Sequence, residues 1–327
     1  TMILGIRLGI VISCLGNPGA SGRWSDSRIH YVEGYSLDQF ACGELALRPV
    51  RKQKIGILFD AAVEHDLKIR HLHVVESVRA SLGVEVGPII TTDLPLNIDL
   101  KQNSSGASTG SLGHPDELLR AAERLKALGA TAIAVVTSFP DLPSADLIAD
   151  YRYGRGVDIM AGAEAVISHL VVRHLQVPCA HSPALTPLPL DSKIDPRAAA
   201  EEIGYTFLNC VLVGLSKAPD LMPRSPEVSG SRDIRPNDIH IEDVGAVVVP
   251  EDALGGEAVL ASIERKIPLI LVRNPCVTSV SATNLGLTQS VVKEEDIEVF
   301  QARTYVEAAG FLTLLREGIS PNSCLRP

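Results

Sequence analysis

Residues 54–91, KIGILFDAAVEHDLKIRHLHVVESVRASLGVEVGPIIT, read as strand, helix and strand in succession. Lys54 to Asp60 is a short apolar run that ends on a carboxylate, the pattern of a buried strand. From Glu64 to Leu82 the apolar residues Leu67, Leu72, Val75, Val78 and Leu82 recur at helical spacing, and Gly83 supplies a stop. Val84 to Thr91 is apolar again, with Thr92 and Asp93 at its end. The alternation continues downstream. Pro115-Asp116-Glu117 gives the first-turn proline and acids of a helix running to Leu128 and closed by Gly129, and Ala130 to Ser138 follows as a strand. Met160 to His174 is predicted as a helix, Val177 to Ala180 as a short strand, and a further helix starts at Asp195-Pro196 and runs towards Leu215. Such alternation implies a doubly wound α/β fold, with a mainly parallel sheet covered on both faces by right-handed crossovers.

Outward from this unit the signals are coarser. Met2 to Ser13 is aliphatic and β-branched and is expected as one buried strand; Gly16 to Arg28, which carries Trp24, is expected as an irregular loop. Tyr31 to Tyr35 leads into a short helix at Leu37 to Phe40. Asn97 to His114 is so rich in Ser and Gly that it is expected to be a mobile surface loop, of the kind that serves as a lid. The prolines of Lys217 to Asp243 mark a linker between a main α/β domain (1–216) and a smaller C-terminal βαβ lobe (244–327). That lobe holds Ala246 to Pro250, Gly255-Gly256, a helix to Lys266 and Pro268 to Val272, then a last strand at Glu298 to Gln301 and a helix at Tyr305 to Leu315.

A hydrophobic fraction of 46% with 21% charged residues places the 327-residue chain among folded globular proteins rather than disordered ones. A net charge of -9 without a lysine or arginine run excludes the electrostatic footprint of a nucleic-acid or anionic-membrane binder, which leaves a small-molecule ligand as the expected partner and is compatible with a homo-oligomer. The six cysteines (14, 42, 179, 210, 276 and 324) form no CxxC pair and no disulfide spacing, so a reducing compartment, the cytoplasm, is expected. Val11-Ile12-Ser13-Cys14 has the form of a lipoprotein cleavage site, but Arg7 interrupts the apolar run and no basic segment precedes it, so export is set aside.

In open parallel sheets ligands bind beyond the carboxyl ends of the strands. That rule collects Asp60, Thr92, Asp93, Phe139 to Asp141, Cys179, His181, Glu251, Asp252, Arg273 and Asn274. The densest chemistry lies in residues 150–190, DYRYGRGVDIMAGAEAVISHLVVRHLQVPCAHSPALTPLPL. Cys179 and His181 alternate along an extended chain and share a side, as a nucleophile and base or two metal ligands would need. Glu164 and Ser168 share a helix face, whereas Glu164 and His169, five apart, do not. Glu164 lies among alanines, where a carboxylate must be paired.

The expected roles are His181 as general acid/base, Cys179 or a metal as its partner, and Glu164 or Asp158 orienting it. A zinc site could be completed by Asp158, Glu164 or His169, but the ligand spacing is poor and a metal-free protein is expected. Gly255-Gly256 resembles an anion cradle at a helix N-terminus, though neither a full GxGxxG nor a Walker lysine accompanies it, and no cofactor is identified. His71 and His73 point to different helix faces, so one is expected in solvent. Ser104-Ser105-Gly106 reads as flexible chain rather than as a nucleophile.

With YVEGYSLDQFACGELALRPV, IRHLHVVESVRASLG, SSGASTG, HPDELLRAAE, the 150–190 stretch and AAAEEIGYTFLNCVLVGLS in hand, the chain resembles an uncharacterised family of cyanobacterial, bacterial and plant-plastid proteins, a domain of unknown function. The resemblance covers most of Tyr31 to Ser216 and continues weakly through VVVPEDALGG; Met2 to Arg28 is short and divergent, and His73 and Cys276 lie outside the pattern. It implies no activity. Mechanism therefore rests on the residues, which point to an enzyme acting on a small anionic or carbonyl-bearing metabolite by hydrolase or lyase chemistry, or else to a non-catalytic small-molecule binding protein.

Overall fold

Buried apolar strands dictate where each helix must lie. The computed structural model describes residues 2–5, 10–12, 29–103, 108–140, 145–155, 158–186, 190–196, 198–199, 207–224, 235–274, 280–287 and 296–324. In chain order the first half contains β1 (Met2–Gly5), β2 (Ile10–Ile12), β3 (Ile29–Tyr31), α1 (Gly34–Ala41), β4 (Leu45–Arg48), β5 (Ile55–Phe59), α2 (His65–Leu82) and β6 (Val86–Thr91). Next come β7 (Ile98–Gln102), β8 (Ser108–Leu112), α3 (Pro115–Ala127), β9 (Ala132–Thr137), α4 (Ala145–Arg152), α5 (Ala161–Leu175) and β10 (Cys179–Pro183). The rest is α6 (Leu208–Leu215), β11 (Asp220–Pro223), β12 (Val244–Pro250), α7 (Glu257–Glu264), β13 (Leu269–Val272), β14 (Val299–Ala302) and α8 (Tyr305–Arg316).

Four strands pair in parallel in the order β10-β9-β5-β6. Every residue of β5 and β9 is buried, so both faces of this sheet need cover. On one face Val75 and Val78 of α2 and Val211, Leu212 and Leu215 of α6 pack on Ile57, Ala134, Val136 and Ala180. On the other, Leu118 and Leu125 of α3 and Ile167 and Val171 of α5 pack on Leu58, Ile133, Val135 and Cys179. This is the doubly wound α/β arrangement that the alternation predicts. The chain leaves β5 for β6 on one side and returns to β9 on the other, which makes the β5/β9 boundary the topological switch point. Asp60 pins that boundary. Its Oδ1 accepts from the amides of Ala62 (3.0 Å) and Leu96 (3.0 Å), and its Oδ2 from that of Ser138 (3.4 Å).

A second, six-stranded sheet has the order β14-β13-β12-β1-β2-β3, so it draws strands from both ends of the chain. The C-terminal strands β12, β13 and β14 are parallel as the βαβ reading requires. The opening segment, expected as one strand, is instead two antiparallel strands with Met2 opposite Ile12. A continuous apolar run has no marker for reversal except its glycines, and Gly5 ends β1. Within the expected linker, Asp220–Pro223 pairs antiparallel with Leu45–Arg48 and Ile239 bridges Leu47, because prolines at strand ends leave the ladder intact.

Helix α1 joins the two sheets. Leu37, Phe40 and Ala41 share one core with Leu58 and Ile133 of the first sheet and Val247 and Leu269 of the second. Asp38 accepts from the Ala258 amide at the start of α7 (3.0 Å), and Arg265, just past the end of α7, donates to the carbonyls of Ala41 (2.8 Å) and Cys42 (2.5 Å) at the end of α1. Each helix thus receives from its partner the charge that its own dipole favours at that end.

One further expectation is corrected. Within residues 97–114, Ile98–Gln102 and Ser108–Leu112 are strands rather than loop, and residues 104–107, Ser104-Ser105-Gly106 among them, lie outside the described residues. The two strands pair antiparallel as the hairpin β7–β8. Their small side chains serve close packing: a Cβ on Gly110 would stand 2.5 Å from the Ala163 Cβ, and one on Gly162 would collide with the backbone of Ser108 and Thr109. The segment after Asp141 also contains α4, an eight-residue helix without a strong apolar stripe to announce it in the sequence. Trp24, Cys14 and Cys276 lie outside the described residues.

Gly162→Val is expected to destabilise the protein by about 1–3 kcal/mol, as overpacking does. Gly310→Ala is the control, since nothing described stands within 4 Å of its Cβ position in α8. Thermal melts of the two variants check this, and an unchanged melting temperature for Gly162→Val would show that the hairpin is not packed on α5.

Candidate functional site

The site is built on the first half of α5. Ahead of the helix, the Asp158 side chain accepts from the Met160 amide (2.9 Å) and its carbonyl from the Ala161 amide (3.2 Å), while Ser108 Oγ of the hairpin accepts from Gly162 (3.0 Å). These contacts fix where the helix begins and satisfy first-turn amides that a helix otherwise leaves unbonded. The four-residue spacing then turns Glu164 and Ser168 to the same side.

Strand β10 supplies what they meet. It starts at Cys179 and runs to Pro183, later than the sequence pattern suggests, so His181 lies inside the strand rather than beyond it. Pairing with β9 holds the extended conformation through Ser182 and Pro183, which a local apolar pattern does not show. Cys179 and His181 face α5. Ser168 Oγ is 2.6 Å from His181 Nδ1, and His181 Nε2 is 3.3 Å from Glu164 Oε2. Relative exposures are 1% for Ser168, 8% for His181 and 5% for Glu164, so the chain of contacts is closed off from water.

The partners assign the tautomer. A carboxylate beside Nε2 requires a proton there, which leaves Nδ1 to accept the Ser168 hydroxyl proton. The Cys179 thiol donates to the Ala180 carbonyl at 3.9 Å. Burial, reinforced by the negative charge of Glu33, pushes that thiol well above the usual thiol range. Cys179 is therefore a neutral thiol, which does not suit it to act as a thiolate nucleophile.

Asp158 is the partly exposed member of the group. Burial raises its carboxyl to about 7 and the Glu164 charge adds to this, with the Met160 amide and His181 opposing. It is thus half protonated near neutrality, as a proton-exchanging group should be. Both ring nitrogens of His181 are engaged within the protein, so a proton reaches it through its neighbours.

His169, five residues from Glu164, faces the other way, as the helix geometry demands. It lies 3.0 Å from Glu33, the N-cap of α1, with the Tyr35 ring tilted against it at 6.1 Å. Burial lowers its pKa, but Glu33 and Asp38 outweigh that and the net shift is upward. Asp38 is itself raised to about 6 by burial. Because Asp38 occupies the start of α7, the anion cradle expected at Gly255-Gly256 is met by the chain's own carboxylate, and a Cβ on Gly255 would stand 3.3 Å from the Val280 side chain. His71 is buried with Nδ1 2.7 Å from the Leu67 carbonyl, while His73 is exposed. Among the described residues, no group of three or more His, Cys, Asp or Glu side chains could hold a metal ion.

The chain belongs to the family of proteins of unknown function DUF3326, whose model matches residues 17–325. An uncharacterized lipoprotein of Synechococcus sp. is 47% identical over 304 residues, which cover 93% of this chain and 80% of that protein. A relative this similar that bears the name lipoprotein overturns the cytoplasmic placement. Cysteine spacing speaks to disulfides and carries no information on a lipid anchor. No solved structure matches. Among the described residues, no helix is long and apolar enough to cross a membrane.

The raised Asp158 pKa makes stability pH-dependent with a definite sign. A carboxyl whose folded pKa exceeds its unfolded value of about 3.9 stabilises the fold fully below pH 4 and loses that contribution as pH rises towards 7. Asp158→Asn keeps an oxygen to accept the Met160 amide and removes the penalty. It should melt higher than the parent at pH 8, by roughly 2–4 °C for each kcal/mol relieved, with the gain shrinking towards pH 4. Melting curves across that range check it.

Proposed function

We propose that the protein is an enzyme that uses acid–base chemistry on a small anionic or carbonyl-bearing metabolite, in a hydrolase or lyase type of reaction. The observation that carries this reading is the enclosed Ser168–His181–Glu164 chain, 2.6 and 3.3 Å between successive partners, ending beside Asp158. Titratable groups gathered in this way against a parallel strand, two residues short of the carboxyl end of β10, are a candidate site on physical grounds.

In this reading Asp158 exchanges the proton with the substrate. Protonated, it donates to a developing oxyanion or leaving group; ionised, it withdraws a proton from carbon or water. Glu164 and His181 replenish or take up that proton, because the imidazole is held between a carboxylate and a hydroxyl and can gain or lose charge without moving. Ser168 is a positioning residue that fixes the ring and its tautomer. The Ser–His–Glu composition invites comparison with acyl-transfer triads, but Ser168 is buried in the middle of a helix, so nucleophilic attack is not assigned to it.

The enclosure of the chain favours a second reading, a non-catalytic small-molecule binding protein that uses the same cleft. A screen of small carboxylates, esters and carbonyl compounds separates the two. Turnover with a pH limb near 7, lowered about 10²- to 10⁴-fold in Asp158→Asn, is expected of the enzyme. Turnover at the parental rate in that variant removes Asp158 from the mechanism, and tight ligand retention without turnover favours the binding protein.

A further inference from the structure

We infer that Thr137 is the residue that holds the substrate oxygen, and that the ligand class is a small molecule with a carboxylate or carbonyl group. The inference rests on the acid–base reading of the same site and names a residue that neither the sequence pattern nor the family description assigns.

The placement follows from register. Thr137 is the last residue of β9, and the pairing sets Ile133 beside Cys179, Val135 beside His181 and Thr137 beside Pro183. Alternate residues of a strand share a face, so Thr137 lies on the same side of the sheet as His181, one step closer to the carboxyl edge. It also stands on a strand of the β5/β9 switch point, the position at which open parallel sheets bind ligands. Fold topology and the acid–base cluster therefore meet at this residue.

The side chain itself supplies the independent sign. Thr137 is fully buried, and its Oγ1 has no hydrogen-bond partner among the described residues. A buried hydroxyl without a partner costs about 1–3 kcal/mol, so a strand that needed only bulk at this position would be better served by valine, which has the same shape. The adjoining backbone donors are engaged: the Ser138 amide donates to Asp60 Oδ2, and the Ala184 amide donates to the Thr137 carbonyl. The Thr137 hydroxyl is thus a donor left over on the sheet face that carries His181. Its complement is an oxygen acceptor, a carbonyl or carboxylate oxygen.

Pyruvate, which carries both groups, is the probe. Its binding is measured by thermal shift and calorimetry on the parent, Thr137→Val and Thr137→Ser. The expected result is saturable binding to the parent and to Thr137→Ser, with affinity at least about tenfold weaker in Thr137→Val. Thr137→Val should fold and melt no lower than the parent, which separates lost binding from lost structure. Parental affinity in Thr137→Val overturns the assignment of the residue. No binding of pyruvate to the parent overturns the ligand class and leaves the acid–base reading to stand or fall on the Asp158→Asn pH profile.

Discussion

A carboxylate on a helix that faces a sheet must find a partner, and in this protein that requirement is met twice by one helix. Glu164 turns inward to His181, and His169 turns outward to the buried Glu33 of α1. Leaving either carboxylate alone would cost several kcal/mol, far more than an exposed ion pair contributes. Helix α5 is therefore fixed in rotation by electrostatics as well as by the packing of Ile167 and Val171. Through α1 the same constraint reaches the second sheet. Glu33 caps α1, Asp38 meets the start of α7, and Arg265 returns to the end of α1.

The small residues around Gly110 and Gly162 are the steric counterpart. By letting the hairpin backbone come against the first turn of α5, they place Ser108 on the Gly162 amide and cover the N-terminal end of the site. Water is kept from Glu164 and Ser168, and the low dielectric that results is the main cause of the raised Asp158 carboxyl.

Much of the architecture is legible in the sequence because it rests on local periodicity. The α2 and α3 helices, with Gly83 in the left-handed conformation and Pro115 in the first turn, and the strands β5 and β9 follow from patterns within one element. The features that local pattern does not reveal depend on partners far away in the chain. The Ser/Gly content of residues 97–114 looks like flexibility until Gly162 stands against it, and β10 extends beyond its apolar core because β9 pairs with it. At the site, helix spacing separates Glu164 and Ser168 from His169. The bond from Ser168 to His181 needs α5 packed on β10, and the placement of Thr137 on the same face needs the register between β9 and β10; no single segment encodes either.

The central claim is that Asp158 is electrically coupled to Glu164 in an enclosed site and titrates near neutrality. Carbon-13 NMR of the Asp158 carboxyl, assigned by Asp158→Asn, tests it directly in the parent and in Glu164→Gln. The account predicts titration at about 7 in the parent, moving to lower pH in Glu164→Gln as the like charge is removed. A carboxyl that titrates near its ordinary value of about 3.9 in both proteins would contradict it.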